Sequence, residues 1–177
     1  MVFGVRDPGS PRHEGLGRTA APAEAVAGCD VVVIALPWGA VEGVVAGLAV
    51  GDAAVVDATN PLASGARELA GHPDLSGAEL VARWTGSGRV VKAFNITGSA
   101  NMTDPVYPGG RILMPVAGDD PGAKATVLAL AAELGFDALD AGPLSAARDL
   151  EHLAMLWIRL AYPLGHGPSI AFSLLRR

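Results

Sequence analysis

Residues 31–48 read VVVIALPWGAVEGVVAGL, and this stretch decides the fold class. Residues 31–35 are continuously apolar and mostly β-branched, which predicts a buried strand. Pro37, Trp38 and Gly39 then turn the chain into a helix predicted over residues 40–48. A buried strand followed at once by a helix is the repeating unit of α/β proteins with a mainly parallel sheet.

The same alternation continues on both sides of this stretch. Further strands are predicted over residues 2–6, 53–57, 90–94, 112–117 and 136–140. Helices are predicted over residues 19–27, 65–88 (with a break at Gly71-His72-Pro73), 121–134 and 145–162, and a long loop over 97–110. The sequence therefore predicts the α/β fold class.

The composition excludes several classes of protein. The 177 residues are 50% hydrophobic and 18% charged, which excludes an intrinsically disordered chain. The net charge of -5 argues against nucleic acid or a membrane as a partner. Cys29 is the only cysteine and the four histidines are scattered, so neither a disulfide framework nor a metal site is expected. With no signal peptide and no apolar run of membrane-spanning length, the expected location is the cytoplasm.

Three of the predicted strands end in residues suited to a ligand site. In open α/β sheets the ligand lies beyond the carboxyl ends of the strands, where the strand order reverses. The segments at these ends are Val5-Arg6, Leu36-Pro37-Trp38 and Asp57-Ala58-Thr59-Asn60-Pro61. The guanidinium of Arg6 suits the 2′-phosphate of NADP, although a lone arginine at a strand end is more often simply solvated.

The glycine-rich phosphate loop of dinucleotide-binding folds is not found in its expected context. Gly15-Leu16-Gly17-Arg18-Thr19-Ala20 matches the pattern G-x-G-x-x-A, but it does not directly follow a strand. Gly86-Ser87-Gly88 runs into a strand rather than a helix. We interpret both matches as chance.

Six blocks of sequence together carry a family resemblance. They are FGVRD (3–7), ALPW (35–38), VDATNPL (56–62), VVKAFN (90–95), VAGDD (116–120) and DAGPL (140–144). In this order they resemble the NADP oxidoreductase, coenzyme F420-dependent family, which includes the F420H2:NADP oxidoreductases. A similarity to the N-terminal domain of pyrroline-5-carboxylate reductases is more distant.

The resemblance implies a fold and an activity. The fold would be a Rossmann-like, doubly wound, mainly parallel sheet over residues 1–144, with a helical extension over residues 145–177. The activity would be that of an NADP-dependent oxidoreductase, in which hydride passes directly between NADP(H) and coenzyme F420. The cofactors carry this chemistry, so the expected partner is a small-molecule co-substrate and no catalytic side chain is assigned. The apolar face of the last helix suits a homodimer, and packing on its own sheet would explain that face equally well.

The resemblance also assigns binding roles to residues at the strand ends. Those implied at the 2′-phosphate are Arg6, Ser10 and Arg12. Those implied along the adenosine are Leu36, Pro37 and Trp38. Those implied beside the nicotinamide and its ribose are Ala58, Thr59, Asn60 and Pro61. Those implied to face the second substrate are Ala93, Phe94 and Asn95.

The sequence departs from the family at its N-terminus. Family members place a strand, a G-x-G-x-x-G loop and a helix before the strand that ends in arginine, and here this first βα unit is missing. The missing strand would lie at the centre of the sheet, between the strands beginning near Val2 and Ala53. Without the glycine loop, weak NADP binding or none is expected. The alternatives are an NADPH-dependent reductase of another small acceptor, and a catalytically silent nucleotide-binding or dimerisation module.

Overall fold

A computed structural model describes residues 1–70 and 72–177 of the chain. Its strands are β1 (Phe3–Gly4), β2 (Thr19–Ala20), β3 (Val31–Ile34), β4 (Ala54–Asp57), β5 (Val90–Lys92), β6 (Val106–Tyr107), β7 (Gly110–Arg111), β8 (Leu113–Gly118) and β9 (Asp137–Asp140). Its helices are α1 (Pro22–Ala25), α2 (Trp38–Val45), α3 (Gly77–Thr85), α4 (Ser99–Thr103), α5 (Pro121–Glu133) and α6 (Ala147–Ala161). Short 3-10 turns lie at Pro11–His13 and Leu144–Ala146.

The central sheet has five strands in the order β3-β4-β5-β8-β9. β3, β4 and β5 run parallel to one another, β8 is antiparallel to β5, and β9 is parallel to β8. The predicted α/β class with a mainly parallel sheet is therefore confirmed. The reversal at β8 was not predicted, because apolar periodicity identifies a strand without giving its direction.

Helices cover both faces of this sheet. Val55 of β4 packs in a buried cluster with Val41 of α2 and Val81 of α3. The next residue, Val56, packs on the opposite face with Val127 of α5. Successive side chains of a strand point to opposite faces, so the complete burial of β4 follows from this doubly wound, Rossmann-like arrangement.

The missing strand was expected to lie beside the strand beginning near Ala53, and the pairing of the sheet does not leave that place open. β4 is paired on both sides, with β3 and with β5, so the place beside the strand beginning near Ala53 is already filled and that part of the prediction is wrong. β3 is the terminal strand of the described sheet on this side, and β1 and β2 form a separate parallel pair. The strand predicted over residues 31–35 is present as β3, but it is buried on one face only, since Val33 is 55% exposed.

Three predicted segments take other structures. The predicted helix over 19–27 is strand β2 followed by the short helix α1, which starts at Pro22 because proline favours the first helical turn. In the segment 65–88 the described helix is α3, and Gly71 of the predicted break lies outside the described residues. The predicted loop over 97–110 contains α4 and the strand pair β6–β7.

The C-terminal residues fold back onto α6. The indole Nε1 of Trp157 donates a hydrogen bond to the carbonyl of Ile170 at 2.7 Å. The N–H of Leu113 in β8 donates to the carbonyl of Phe172 at 2.9 Å.

None of the helices within residues 1–70 and 72–177 is long and apolar enough to span a bilayer. The domain boundary at residue 145 stays a prediction.

Helix α3 starts with a reciprocal hydrogen-bonded cap. The hydroxyl of Ser76 accepts from the N–H of Glu79 at 3.2 Å, and the Glu79 carboxylate accepts from the N–H of Ser76 at 2.7 Å. We expect Ser76→Ala to lower the free energy of unfolding by about 1 kcal/mol, measured by urea denaturation. Ser169→Ala is the matched control, because Ser169 is exposed. Equal losses in the two variants would contradict the role of the cap.

Candidate functional site

A cavity of about 710 Å³ lies at the carboxyl ends of β3 and β4. Residues from the two strand ends and from the loop after β4 line it: Ala35, Leu36, Pro37, Trp38, Gly39, Ala58, Thr59, Asn60, Leu62, Ala63, Ser64, Gly65 and Ala66. We call it the strand-end cavity. This is the place where open α/β sheets bind ligands, and it brings together two of the segments that the sequence singled out.

The other sequence-predicted site residues lie elsewhere. Arg6 and Arg12 are exposed, and Ser10 caps the 3-10 turn at residues 11–13 by accepting from the N–H of Arg12 at 3.4 Å. None of these three lines the strand-end cavity. Pro61 lines a second cavity of about 260 Å³ that also contacts Glu151. Their assigned roles stay predictions.

Asn60 of the strand-end cavity is joined to Asn95, from the set predicted to face the second substrate. The Nδ2 of Asn60 donates to the carbonyl of Asn95 at 2.8 Å, and the Nδ2 of Asn95 donates to Oδ1 of Asn60 at 2.9 Å. Asn95 also donates to the carbonyl of Leu150 in α6 at 3.1 Å. The two strand ends and the last helix are therefore held together at this point.

Phe94 and Ala93, the remaining members of that set, differ in environment. Ala93 is fully buried in the core. Phe94 is half-buried and has a φ of 58°, which a bulky side chain rarely adopts. Its N–H donates to Sδ of Met114 at 3.1 Å. Backbone strain of this kind concentrates at functional sites, so Phe94 supports a site at the end of β5.

A buried ionic cluster lies directly behind the cavity wall. Nζ of Lys92 lies 2.9 Å from Oδ2 of Asp57 and 3.1 Å from Oε1 of Glu151. It also donates to the carbonyl of Thr59 at 2.6 Å. The side chains of Lys92, Asp57 and Glu151 are 0%, 0% and 3% exposed. Thr59, which lines the cavity, donates through its N–H and its hydroxyl to Oδ1 of Asp57 at 3.0 and 2.7 Å.

Sequence reasoning missed this cluster. A glutamate in the predicted last helix is expected at its solvent-facing surface, but α6 packs the side chain of Glu151 against Lys92. The available signal was a lysine inside an otherwise apolar strand, VVKAF at residues 90–94. A charged residue in a buried strand requires partners, but the sequence does not say which residues supply them.

Gly77 is the point where the cluster and the cavity approach each other. An ideal Cβ at this glycine would lie 3.0 Å from Oε1 of Glu151 and 3.1 Å from Cη2 of Trp38. The N–H of Gly77 donates to Oε2 of Glu151 at 3.1 Å. Trp38 forms part of the cavity wall and packs on Trp84, with 5.5 Å between ring centroids. The carboxylate of Glu151 therefore lies close to the aromatic wall of the cavity.

The two glycine-rich matches do not form phosphate loops in the described residues. Gly15 and Gly17 have positive φ angles in a turn that leads into β2. Gly86 ends α3 in the left-handed conformation, and Gly88 precedes β5. Neither segment starts a helix, in agreement with the interpretation of both matches as chance.

A partly exposed ion pair predicts a pH effect on stability. The hydrogen bond from the Lys124 ammonium, then the N–H of Gly142, lowers the pKa of Asp140 below its ordinary value of 3.8. In acid the folded state therefore binds fewer protons than the unfolded state. The contribution of the ion pair to the free energy of unfolding is fully present above pH 3.8 and is lost as the pH falls through the lower folded-state pKa of Asp140. We expect Asp140→Asn to unfold at lower urea concentration than wild type at pH 7, and the difference to vanish in acid.

The control for this pH effect is Asp149→Asn. Asp149 is exposed and forms no ion pair within the described part of the chain. Urea midpoints measured at a series of pH values should show no pH-dependent difference between this control and wild type. If the urea midpoints of Asp140→Asn and wild type differed by the same amount in acid as at pH 7, the ion pair of Asp140 with Lys124 would not be the source of the stabilisation.

The five-stranded sheet and its strand-end cavity define a Rossmann-like α/β domain. No family model matches the chain. A solved structure from Arthrobacter sp. FB24, of a protein provisionally named an F420-dependent NADP-reductase, is similar with a TM-score of 0.81 and 29% identity, over 99% of this chain and 88% of that one. The hypothetical protein SMa0349 of Sinorhizobium meliloti matches with a TM-score of 0.68 and 24% identity, over 90% and 73% of the two chains, and supports the fold alone.

The Arthrobacter match is consistent with the resemblance carried by the six sequence blocks. It covers nearly the whole chain, so it includes every strand end that lines the cavity. The resemblance and the structural match thus rest on separate observations that indicate the same class of protein.

Proposed function

We propose that this protein is an NADP-dependent oxidoreductase that passes hydride between NADP(H) and coenzyme F420. The observation that carries the proposal is the match to the Arthrobacter protein over 99% of the chain. The strand-end cavity supports it, because it lies where α/β sheets bind nucleotides. At a coarser level, the same match supports an oxidoreductase.

The cavity fits the ring portion of a nicotinamide nucleotide and not its phosphates. Its lining is mainly apolar, includes the indole of Trp38 and contains no ionisable side chain. A flat aromatic ring packs well on such a wall, whereas a phosphate would find no cationic side chain there. The phosphates would therefore lie outside the cavity, with the 2′-phosphate at Arg6.

Phosphate binding is the weak part of the site. Neither Gly-x-Gly segment starts a helix, so in the described residues no backbone cradle of that kind lies beside the cavity. We therefore propose that the 177-residue chain binds NADP weakly.

The chain contributes binding and orientation rather than a reacting group. When bound, the two cofactors supply the hydride chemistry themselves. Trp38 and Pro37, which the resemblance assigned to the adenosine, share this cavity with Ala58, Thr59 and Asn60 of the nicotinamide set. We therefore propose that they form an apolar wall that excludes water from one face of the nicotinamide ring. The paired amides of Asn60 and Asn95 fix the distance between the ends of β4 and β5. Direct hydride transfer depends mainly on the distance and orientation of the two rings, and these are what the chain would set.

The test is reduction of coenzyme F420 by NADPH and by NADH, followed by absorbance. We expect activity with NADPH at high concentration, and a selective loss of the NADPH preference in Arg6→Gln. Arg83→Gln is the control, because Arg83 is an exposed arginine on α3 and lines neither cavity. Absence of hydride transfer at saturating NADPH would overturn the proposal.

The same assay separates the two alternatives. Oxidation of NADPH by another small acceptor, without reduction of coenzyme F420, would identify a different reductase. No binding and no oxidation of NADPH would support the silent module. A homodimer through α6, a small-molecule partner and a cytoplasmic location stay predictions.

A further inference from the structure

We infer that the strand-end cavity prefers a positively charged aromatic ring to the same ring in neutral form, because of the buried charge behind its wall. This inference deepens the proposed function, since it assigns a charge state to the ring that binds there. It is carried by the ionic cluster of Asp57, Lys92 and Glu151 rather than by any residue lining the cavity.

By formal charge, the cluster has one more carboxylate than ammonium. Two carboxylates, those of Asp57 and Glu151, share the single ammonium of Lys92. All three side chains are at least 97% buried, so water and salt screen this charge poorly. The excess charge therefore acts on whatever lies in the adjacent space.

The adjacent space is the strand-end cavity, approached at two places. Thr59 lines the cavity and is hydrogen-bonded directly to Asp57 and Lys92. Behind the Trp38 ring, Oε1 of Glu151 and Cη2 of Trp38 lie within 3.1 Å of one point, the ideal Cβ position of Gly77. Glu151 itself lines the second cavity, beside Arg148. The cavity has no ionisable side chain of its own to offset this field.

Two further features decide the sign of the preference. The hydroxyl proton of Thr59 and one N–H of Asn60 are already donated within the protein, which leaves a ring in the cavity few free donors. The indole of Trp38 attracts a cation through its π face. The N-terminus of α2 at Pro37 carries about half a positive charge and opposes the effect. Pro37 is exposed, so solvent screens this partial charge more than it screens the buried cluster.

The experiment uses two small probes that need no phosphate site. 1-Methylnicotinamide is a cation and nicotinamide is its neutral counterpart, and their binding is followed by NMR at the Trp38 indole and the Asn60 side-chain amide. We expect the cation to bind about tenfold more tightly, the effect of one buried charge across roughly 10 Å at an effective dielectric constant near 20. Equal affinities, tighter binding of the neutral probe, or no binding of either would overturn the inference.

A matched pair of variants assigns the preference to the cluster. Glu151→Gln removes the excess charge and should reduce the preference to about twofold or less. Glu42→Gln makes the same change of charge at an exposed position on α2 and should leave the preference unchanged. A full preference in Glu151→Gln, or an equal loss in both variants, would overturn the assignment.

A salt series on the unaltered protein decides the matter if Glu151→Gln does not fold. A preference set by buried charge should change less than twofold between about 0.05 and 0.5 M salt, whereas one set by surface charge should fall steeply. A steep fall would overturn the inference. The outcome is separate from that of the proposed function, because the probes report on the cavity alone and the hydride assay reports on both cofactors.

Discussion

Replacement of Lys92 by methionine is expected to lower the free energy of unfolding by about 3–5 kcal/mol. The variant leaves the carboxylates of Asp57 and Glu151 buried and close together with no cation between them. It also leaves the carbonyl of Thr59 without the hydrogen bond that Lys92 donates at 2.6 Å. Urea denaturation at pH 7 measures the loss, and the melting temperature should fall by roughly 10 °C for a domain of this size.

Lys124→Met is the matched control for this prediction. Lys124 is the only other lysine in the chain, and it forms an ion pair of 2.9 Å with Asp140, whose side chain is 52% exposed. Exposed pairs of this kind are worth about 1 kcal/mol or less. If Lys92→Met and Lys124→Met lost similar amounts of stability, burial of the Lys92 cluster would not be the cause of the loss.

Gly98→Ala is expected to have the second-largest effect, a loss of about 1–3 kcal/mol. An ideal Cβ at Gly98 would lie 2.7 Å from Cη2 of Trp157, closer than carbon atoms approach in folded proteins. The ring cannot move away freely, because it is buried and its Nε1 donates to the carbonyl of Ile170. The strain should therefore also loosen the C-terminal segment, which faster amide exchange at residues 170–172 would detect.

Gly43→Ala tests whether this loss comes from the close contact. Gly43 lies inside α2, is exposed and has open space around the position of a Cβ. Alanine is the better helix former, so this variant should gain about 0.5–1 kcal/mol. If Gly98→Ala were as stable as wild type, the packing of Trp157 on the segment before α4 would be wrong.

The fold was predictable where apolar runs are continuous. The strands β3 and β4 follow from the apolar runs at residues 31–35 and 53–57, and β4 is buried on both faces, as an unbroken apolar run predicts. The helix α5 follows from its start at Pro121, directly after Asp119 and Asp120. Strand direction and neighbours were not predictable, since they depend on contacts between distant segments. The exposure of Val33 at the sheet edge is the clearest example.

The candidate site was predictable in its location and not in its electrostatics. Turn-forming residues after β3 and β4 indicated the strand-end cavity, because strand ends of a parallel sheet share one edge. The contact of Lys92 with Glu151 depends on how α6 packs against the sheet, and no local pattern encodes it. The pairing of Asn60 with Asn95 across two strand ends was hidden for the same reason.

Titration of the 177-residue chain with NADPH, followed by tryptophan fluorescence, shows whether the strand-end cavity holds the nicotinamide end of the nucleotide while phosphate binding is weak. We predict a saturable change with a Kd on the order of 0.1–1 mM, retained in Trp157→Phe and lost in Trp38→Phe. Micromolar binding, or binding that Trp38→Phe does not affect, would contradict this mode of binding.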